Sequence, residues 1–512
     1  MNLVHDDRVT GPARNFILES AIQKGKQLLR GMEGTPTLNQ FLLILAYLFA
    51  DVYDSFHRGQ LPEARATQMA MQVLDLEWVR HHFWECLVYN HYQPPLFSNL
   101  LMGTFYIVFE SDMARALLLF AYIAGLLAFA ALLRTMNLLK FPQLTIVCLA
   151  LLVIFHPTRL AWEWRVFYTS WSFFALTGAI YFFVRFMAQN HVRHYAGMSA
   201  LVLAVTWLDP FFHFAWGLAL VAVAWGLSPV RFRPSAWAML TVAVLLLVAV
   251  PLKNYVVFGT FGTSSGLGVV LAERSGVPRP TITEHARNGE ISKSSLERPY
   301  APAIYLDLRH AIPQALSGIQ CLTTPWKDIG DRTYAQVTFN YNFYTMIPVG
   351  RELVSDFFWL VRRYPLDYAR ATVQQFVEFF SGTNTGFDRT IPFLKASRRG
   401  PGLSLIGIVY LLSVLGGMAY LLSPKRKPDT LEYKTFLFLM LNVGYSLLAG
   451  VLVSMFAGPQ HRLPFESCYV LLTGLCLTHY FSQKRDAPDT AGERRTRRAA
   501  PRARKPSHRD RR

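Results

Sequence analysis

Apolar residues in this chain come in blocks of about 13 to 24, not at the three-to-four spacing of an amphipathic helix, and a bilayer core asks for about 20 apolar residues per helical crossing. The blocks fall near residues 40–56, 95–109, 114–133, 142–157, 168–188, 196–208, 211–228, 235–252, 402–422, 435–457 and 465–482. With 52% of residues hydrophobic and only 16% charged, the expected fold class is an all-α polytopic membrane protein with about 10–12 transmembrane helices.

The net charge of +18 does not point to nucleic acid, because the basic residues gather in short loops and at the chain end, where the positive-inside rule puts them. "SPKRKPDTLEYK" (423–434), "SPVRFRPS" (228–235) and the stretch Arg185 to Arg193 then fall on the cytoplasmic side. The same walk puts "ESDMAR" (110–115), "FHPTRLAWEWRVFY" (155–168), "WLDPFFHF" (207–214), residues 253–400 and "GPQHRLPFE" (458–466) outside. It meets one conflict. A single crossing over 40–56 leaves 57–94 outside, so 95–109 cannot also cross and end outside at Glu110. The segment headed by Pro94-Pro95 is the short one, and a re-entrant or interfacial course for it resolves the conflict.

The resulting division is a cytoplasmic amphipathic N-terminus over 1–37, an N-terminal transmembrane region over 38–252 with a first outer loop at 57–94, and an extracytoplasmic region over 253–400. A C-terminal transmembrane region over 401–482 and a disordered, basic cytoplasmic tail over 483–512 follow. Some 145 residues between spans are too many for a structureless loop. The spacing in 351–380 predicts two amphipathic helices broken at Pro365. Cys148, Cys468 and Cys476 lie within apolar blocks, whereas Cys86 and Cys321 lie in polar stretches on the same expected side, with no geometry between them fixed by sequence. There is no metal-type Cys/His spacing, Walker loop, dinucleotide fingerprint or internal repeat, and the cofactor, a divalent metal included, is left open.

Several polar residues stand at the expected outer ends of spans. Asp51 and Asp54 flank a tyrosine where the first span ends, placed as ordinary interfacial charges or as a general base for an acceptor hydroxyl or amine. His156, Arg159, Glu163, Arg165 and Tyr168 share one short loop, in which two arginines run against the positive-inside rule; an interfacial anchor or a phosphate partner both account for them. Lys253 opens "KNYVVFGTFGTSSGLG", whose glycines either let backbone approach a ligand or make a flexible exit loop. Arg462 is a further cation between two spans. Three separated cations on one face suit an anionic lipid headgroup.

Taken in order, these stretches resemble the GT-C class of membrane glycosyltransferases, in particular bacterial enzymes related to protein O-mannosyltransferases and aminoarabinose transferases. The likeness rests on Asp51 after the first span, "QPPLF" (93–97) in place of an "HPPLY"-like step, "RVFYT" (165–169), "KNYVVFG" (253–259) beside the family's "RNYxxFG", and "HRLPFE" (461–466) beside "RYRLP". It covers most of 40–270 and 400–482; the Glu-Lys pair that precedes the proline step in aminoarabinose transferases is absent. The resemblance implies a GT-C fold in a bacterial inner membrane, with a site facing the periplasm. It implies a polyprenyl-phosphate-linked sugar donor and a glycan, lipid or protein acceptor. Asp51, with Asp54 as competitor, would be the base, Arg165, Lys253 and Arg462 the phosphate ligands, and His91, Tyr92, Gln93 and Tyr168 substrate-binding residues. The rival is a lipid or polysaccharide transporter or flippase, which would carry polar or charged groups mid-span on several helices.

Overall fold

The structure, a computed structural model, describes residues 38–58, 74–156, 159–160, 167–299, 301–306, 310–328, 337–380, 404–423, 428–453 and 462–486. The basic N-terminus over 1–37 and nearly all of the 483–512 tail lie outside the described residues. The chain is helical, and among the described residues five helices are long and apolar enough to cross a membrane: Met113–Leu138, Tyr168–Gln189, Pro234–Phe258, Leu405–Leu422 and Leu431–Leu452. Four further apolar helices are shorter: Asn39–Asp51, Leu96–Phe109, Gln143–Ile154 and Phe214–Gly226. Each expected block contains helix among the described residues, but only part of the set reaches crossing length. Polar punctuation such as Pro142 before Gln143 and Asp209-Pro210 between two apolar runs shortens the rest.

The N-terminal helices are α1 (Leu38–Arg58), α2 (Leu76–His81) and α3 (Phe83–Tyr89). Asp75 caps α2 by accepting from the Glu77 amide at 2.9 Å, satisfying one of the first-turn N–H groups that have no partner within the helix. After Pro94-Pro95 the chain forms an eight-residue π-helix, Leu96–Gly103, then the six-residue α4, Thr104–Phe109. Pro95 supplies the N-cap at φ −75°, and its lack of an N–H is harmless at a helix start. Glu110, at φ 43°, breaks the helix and is held to α2 by Arg80 at 2.9 Å. The Pro-Pro step thus begins a short apolar helix that turns back at Glu110.

The main apolar core gathers α5 (Met113–Leu138), α6 (Gln143–Ile154), α7 (Tyr168–Gln189), α8 (Val192–Leu208), α9 (Phe214–Gly226) and α10 (Pro234–Phe258) with the C-terminal helices. α7 is its centre, packed on α5 and α8, and Phe183 of α7 stacks on Phe438 at 3.9 Å. Large apolar side chains of α10 such as Trp237, Leu245 and Leu252 stay exposed, as expected of a surface that meets lipid tails.

Between α10 and the C-terminal spans lie α11 (Leu267–Ala272), α12 (Arg279–Arg287), α13 (Gln320–Thr323) and a two-stranded antiparallel ladder, β1 (Trp326–Asp328) with β2 (Val337–Phe339). α14 (Met346–Arg363) and α15 (Pro365–Phe380) follow, divided at Pro365 as the spacing predicts. This region has its own apolar core of Val269, Tyr305, Phe339, Met346 and Leu353. Here Gly268 faces the Gly350 carbonyl so closely that a Cβ would enter its van der Waals radius. Gly268→Ala is expected to force α11 off α14 and cost about 1–3 kcal/mol, read as a lower midpoint of thermal unfolding in detergent; an unchanged midpoint would mean that the two helices pack elsewhere. The last helices are α16 (Leu405–Leu422), α17 (Leu431–Leu447, continued as π-helix to Val453) and α18 (Glu466–Asp486).

Candidate functional site

Asp51 sits on α1 and Arg159 in the stretch after α6, and together they form an ion pair at 2.9 Å with side chains only 3% and 1% exposed. The guanidinium also donates from Nε to the Val153 carbonyl at 3.0 Å and from Nη2 to the Ile154 carbonyl at 2.7 Å. Its flat face covers the Tyr47 ring at 4.1 Å. A buried charge persists only when paired and fully hydrogen-bonded, and Arg159 meets that condition by collecting two carbonyls at the C-terminal end of α6.

Three residues before Arg159 in the chain, a second buried cluster begins at His156. His156 lies 3.4 Å from Glu466, and Glu466 receives Arg462 Nε at 2.9 Å across one helical turn. Arg462 Nη1 donates to the Phe379 carbonyl at 2.8 Å, and its guanidinium stands 5.5 Å from the Tyr410 ring. Burial pushes the His156 pKa down, the Glu466 charge opposes this, and Arg462 and Arg159 both add to the depression.

The other polar cluster is built on residues 89–93. Asn342 Oδ1 accepts the His91 amide at 2.8 Å and the Tyr92 amide at 3.2 Å, and Asn342 Nδ2 donates to the Tyr89 carbonyl at 3.1 Å. His91 Nε2 bonds the Asn342 carbonyl at 2.9 Å, which makes it the protonated nitrogen, so Nδ1 accepts from the Ser265 hydroxyl at 2.7 Å. This neutral tautomer agrees with a His91 pKa lowered to about 3 by burial and by the Lys253 charge, against the pull of the Asn342 carbonyl bond. Asn90 Nδ2 donates to Ser98 at 2.9 Å and Asn99 at 2.7 Å, and the Lys253 ammonium caps the Asn90 carbonyl.

Comparison with family models, with curated proteins and with solved structures finds no match.

The residues singled out in the sequence are thus distributed as follows. Asp51 is engaged with Arg159, and the Asp54 side chain and Arg165 lie outside the described part of the chain. Lys253 and Arg462 bond different partners in different clusters. His91, Tyr92 and Gln93 are buried, tied to Asn342, Ser264 and Asn90. Tyr168 begins α7 with its ring 5.6 Å from Phe97. The glycines have structural duties: Gly259, at φ 65°, ends α10, and Arg351 Nη2 covers the freed carbonyls of Phe258 at 3.0 Å and Gly259 at 2.9 Å.

Sequence reasoning gave no role to Glu466 or Asn342 and no partner to Arg159. The four-residue spacing of Arg462 and Glu466 was a usable signal, whereas Asn342 lies 251 positions from His91 and announces nothing locally. Asp209 was also missed as a titrating group: it ends α8 at 3% exposure, and burial pushes its pKa up to about 7 against hydrogen bonds from the Phe211 amide and Ser172 hydroxyl. Among the described residues no group of His, Cys, Asp and Glu is placed to hold a metal ion.

Proposed function

We propose that this chain is an integral-membrane glycosyltransferase of GT-C type, moving a sugar from a polyprenyl-phosphate donor to an acceptor on the extracytoplasmic side of a bacterial inner membrane. What supports this reading is that two of the stretches that carry the resemblance pack on each other and the rest bond residues close to one of them in the chain or in the same loop. Asp51 pairs with Arg159, just before "RVFYT"; Phe97 of "QPPLF" packs on Phe167 and Tyr168 of "RVFYT" at 5.9 and 5.6 Å. Lys253 of "KNYVVFG" caps Asn90 beside "QPPLF", and Glu466 of "HRLPFE" reaches His156.

In this reading Asp51 takes the acceptor's proton, and for that Arg159 must turn to another anion. The donor phosphate supplies one, so that binding the donor releases the base, while the guanidinium forks of Arg159 and Arg462 meet the charge that grows on phosphate as the sugar departs. Transport without chemistry is less well supported: the acidic and basic residues of the five long apolar helices, such as Arg115, Arg134, Arg185, Lys253 and Glu432, stand toward helix ends and leave the middles uncharged.

Asp51→Asn is expected to lower transfer from a labelled polyprenyl-phosphate sugar by about 10²-fold or more, with the protein still recovered from membranes. Wild-type turnover in that variant would remove Asp51 as base. Sidedness is read separately, with one cysteine at a time introduced at the exposed Lys293 and Asp429, in a background where the exposed Cys148 is changed to Ser. An impermeant maleimide added to intact cells is expected to label Lys293→Cys and spare Asp429→Cys; equal labelling would overturn the extracytoplasmic site.

A further inference from the structure

Cys86 and Cys321 are 235 positions apart in sequence and meet in space. Both residues are buried within one apolar cluster that includes Leu74, Val79 and Leu322, where α3 packs against α13. The remaining cysteines, Cys148, Cys468 and Cys476, lie within apolar helices. The pair stands at a seam. Cys86 is on α3, one turn before the Tyr89 carbonyl that accepts from Asn342. Cys321 is on α13, where its own carbonyl accepts from Asn340 at 2.9 Å and where the Leu322 carbonyl takes the Tyr344 amide at 3.0 Å. Asn342 Nδ2 reaches both the Tyr89 carbonyl at 3.1 Å and the Cys321 carbonyl at 3.5 Å, so one amide bridges the segment after Cys86 to the turn that carries Cys321.

We infer that Cys86 and Cys321 form a disulfide in the mature protein, a covalent staple that fixes the His91 and Asn342 cluster beneath it. The inference rests on the extracytoplasmic placement of 57–94 and 253–400 within the reading above, since an oxidising compartment is where such bonds persist. The bond forms by exchange with an external protein or small-molecule disulfide. The two thiols give up two protons and two electrons, one S–S bond is made, and the external disulfide leaves as two thiols. Exchange needs a thiolate. Both residues are buried in the packed state, so exchange is expected before α3 and α13 finish packing.

The test uses the full chain taken from its own membranes, denatured in N-ethylmaleimide without reductant, digested and analysed by mass spectrometry. The expected result is one linked peptide pair containing residues 86 and 321, about 2 Da lighter than the two free peptides, which separates on adding dithiothreitol, while Cys148 carries maleimide throughout. A Cys86→Ser variant is expected to leave Cys321 fully alkylated without reductant, and dithiothreitol is expected to lower the unfolding midpoint of wild type but not of that variant. Maleimide on both Cys86 and Cys321 of unreduced wild type would overturn the bridge. If residue 293 is at the same time labelled from outside, the bridge alone fails; if it is protected, the extracytoplasmic placement fails as well.

Discussion

Arg159→Leu is expected to destabilise the protein by about 3–5 kcal/mol, because it strands the Asp51 carboxylate at 3% exposure and leaves the Val153 and Ile154 carbonyls without the guanidinium that now caps them. The double variant Asp51→Leu/Arg159→Leu should recover much of that loss, since a buried pair replaced by apolar groups of similar volume is often neutral or better. Thermal unfolding in detergent of the two single variants and the double variant gives the coupling directly. A loss under about 1 kcal/mol for Arg159→Leu, the behaviour of an exposed pair, would contradict the buried geometry. The same proteins separate stability from chemistry. If the double variant is well folded and inactive, Asp51 and Arg159 act on substrate; if it is well folded and transfers sugar as wild type does, their role is structural and the proposed base is lost.

The helical membrane character was legible because it is written in long stretches of composition, which tertiary packing does not override. Helix lengths were less so: the runs 196–208 and 211–228 read as separate crossings, yet they form α8 and α9, which at 17 and 13 residues are short, hinged at Asp209-Pro210. The break at Pro365 was visible because proline restricts the residue before it, here Tyr364 at φ −128° and ψ 58°. The candidate site was only half legible. Sequence marked the cations, whose position against the positive-inside rule is a local anomaly, but it could not supply their partners. Asp51 with Arg159 is a contact over 108 positions and Arg462 with Phe379 one over 83. Nor could it tell that the polar residues before Pro94 are occupied by Asn342, because an asparagine in a loop is ordinary until its amide is seen bridging three backbone groups of another segment. The glycines after Lys253 suggested close approach to a ligand; the approach at Gly268 is to the Gly350 backbone instead.

Acid should reveal two buried groups that work against each other. His91 has a folded pKa lowered to about 3, so below its ordinary value near 6.5 the unfolded chain takes up a proton that the folded chain refuses. Stability is lost as pH falls through that window, by about 3 kcal/mol between pH 7 and pH 4. His156, also lowered, acts in the same direction. Asp209 has a folded pKa raised to about 7 above an ordinary value near 4, so its contribution is fully present below the unfolded pKa and is lost as pH rises through the folded one. Between pH 7 and pH 4 it restores about 3 kcal/mol. Acidification of the wild type therefore shows only the difference between these terms. Asp209→Asn removes the compensating one while keeping an acceptor for the Phe211 amide. The variant is expected to be more stable than wild type at pH 8, to match it near pH 4, and to lose stability steadily from pH 6.5 downward as the buried imidazoles are left unopposed. Unfolding midpoints of both proteins in detergent from pH 4 to pH 8 read this out. A gap between the two curves that does not change with pH would mean that Asp209 stays ionised in the folded protein, and hence that water or a cation reaches the junction of α8 and α9.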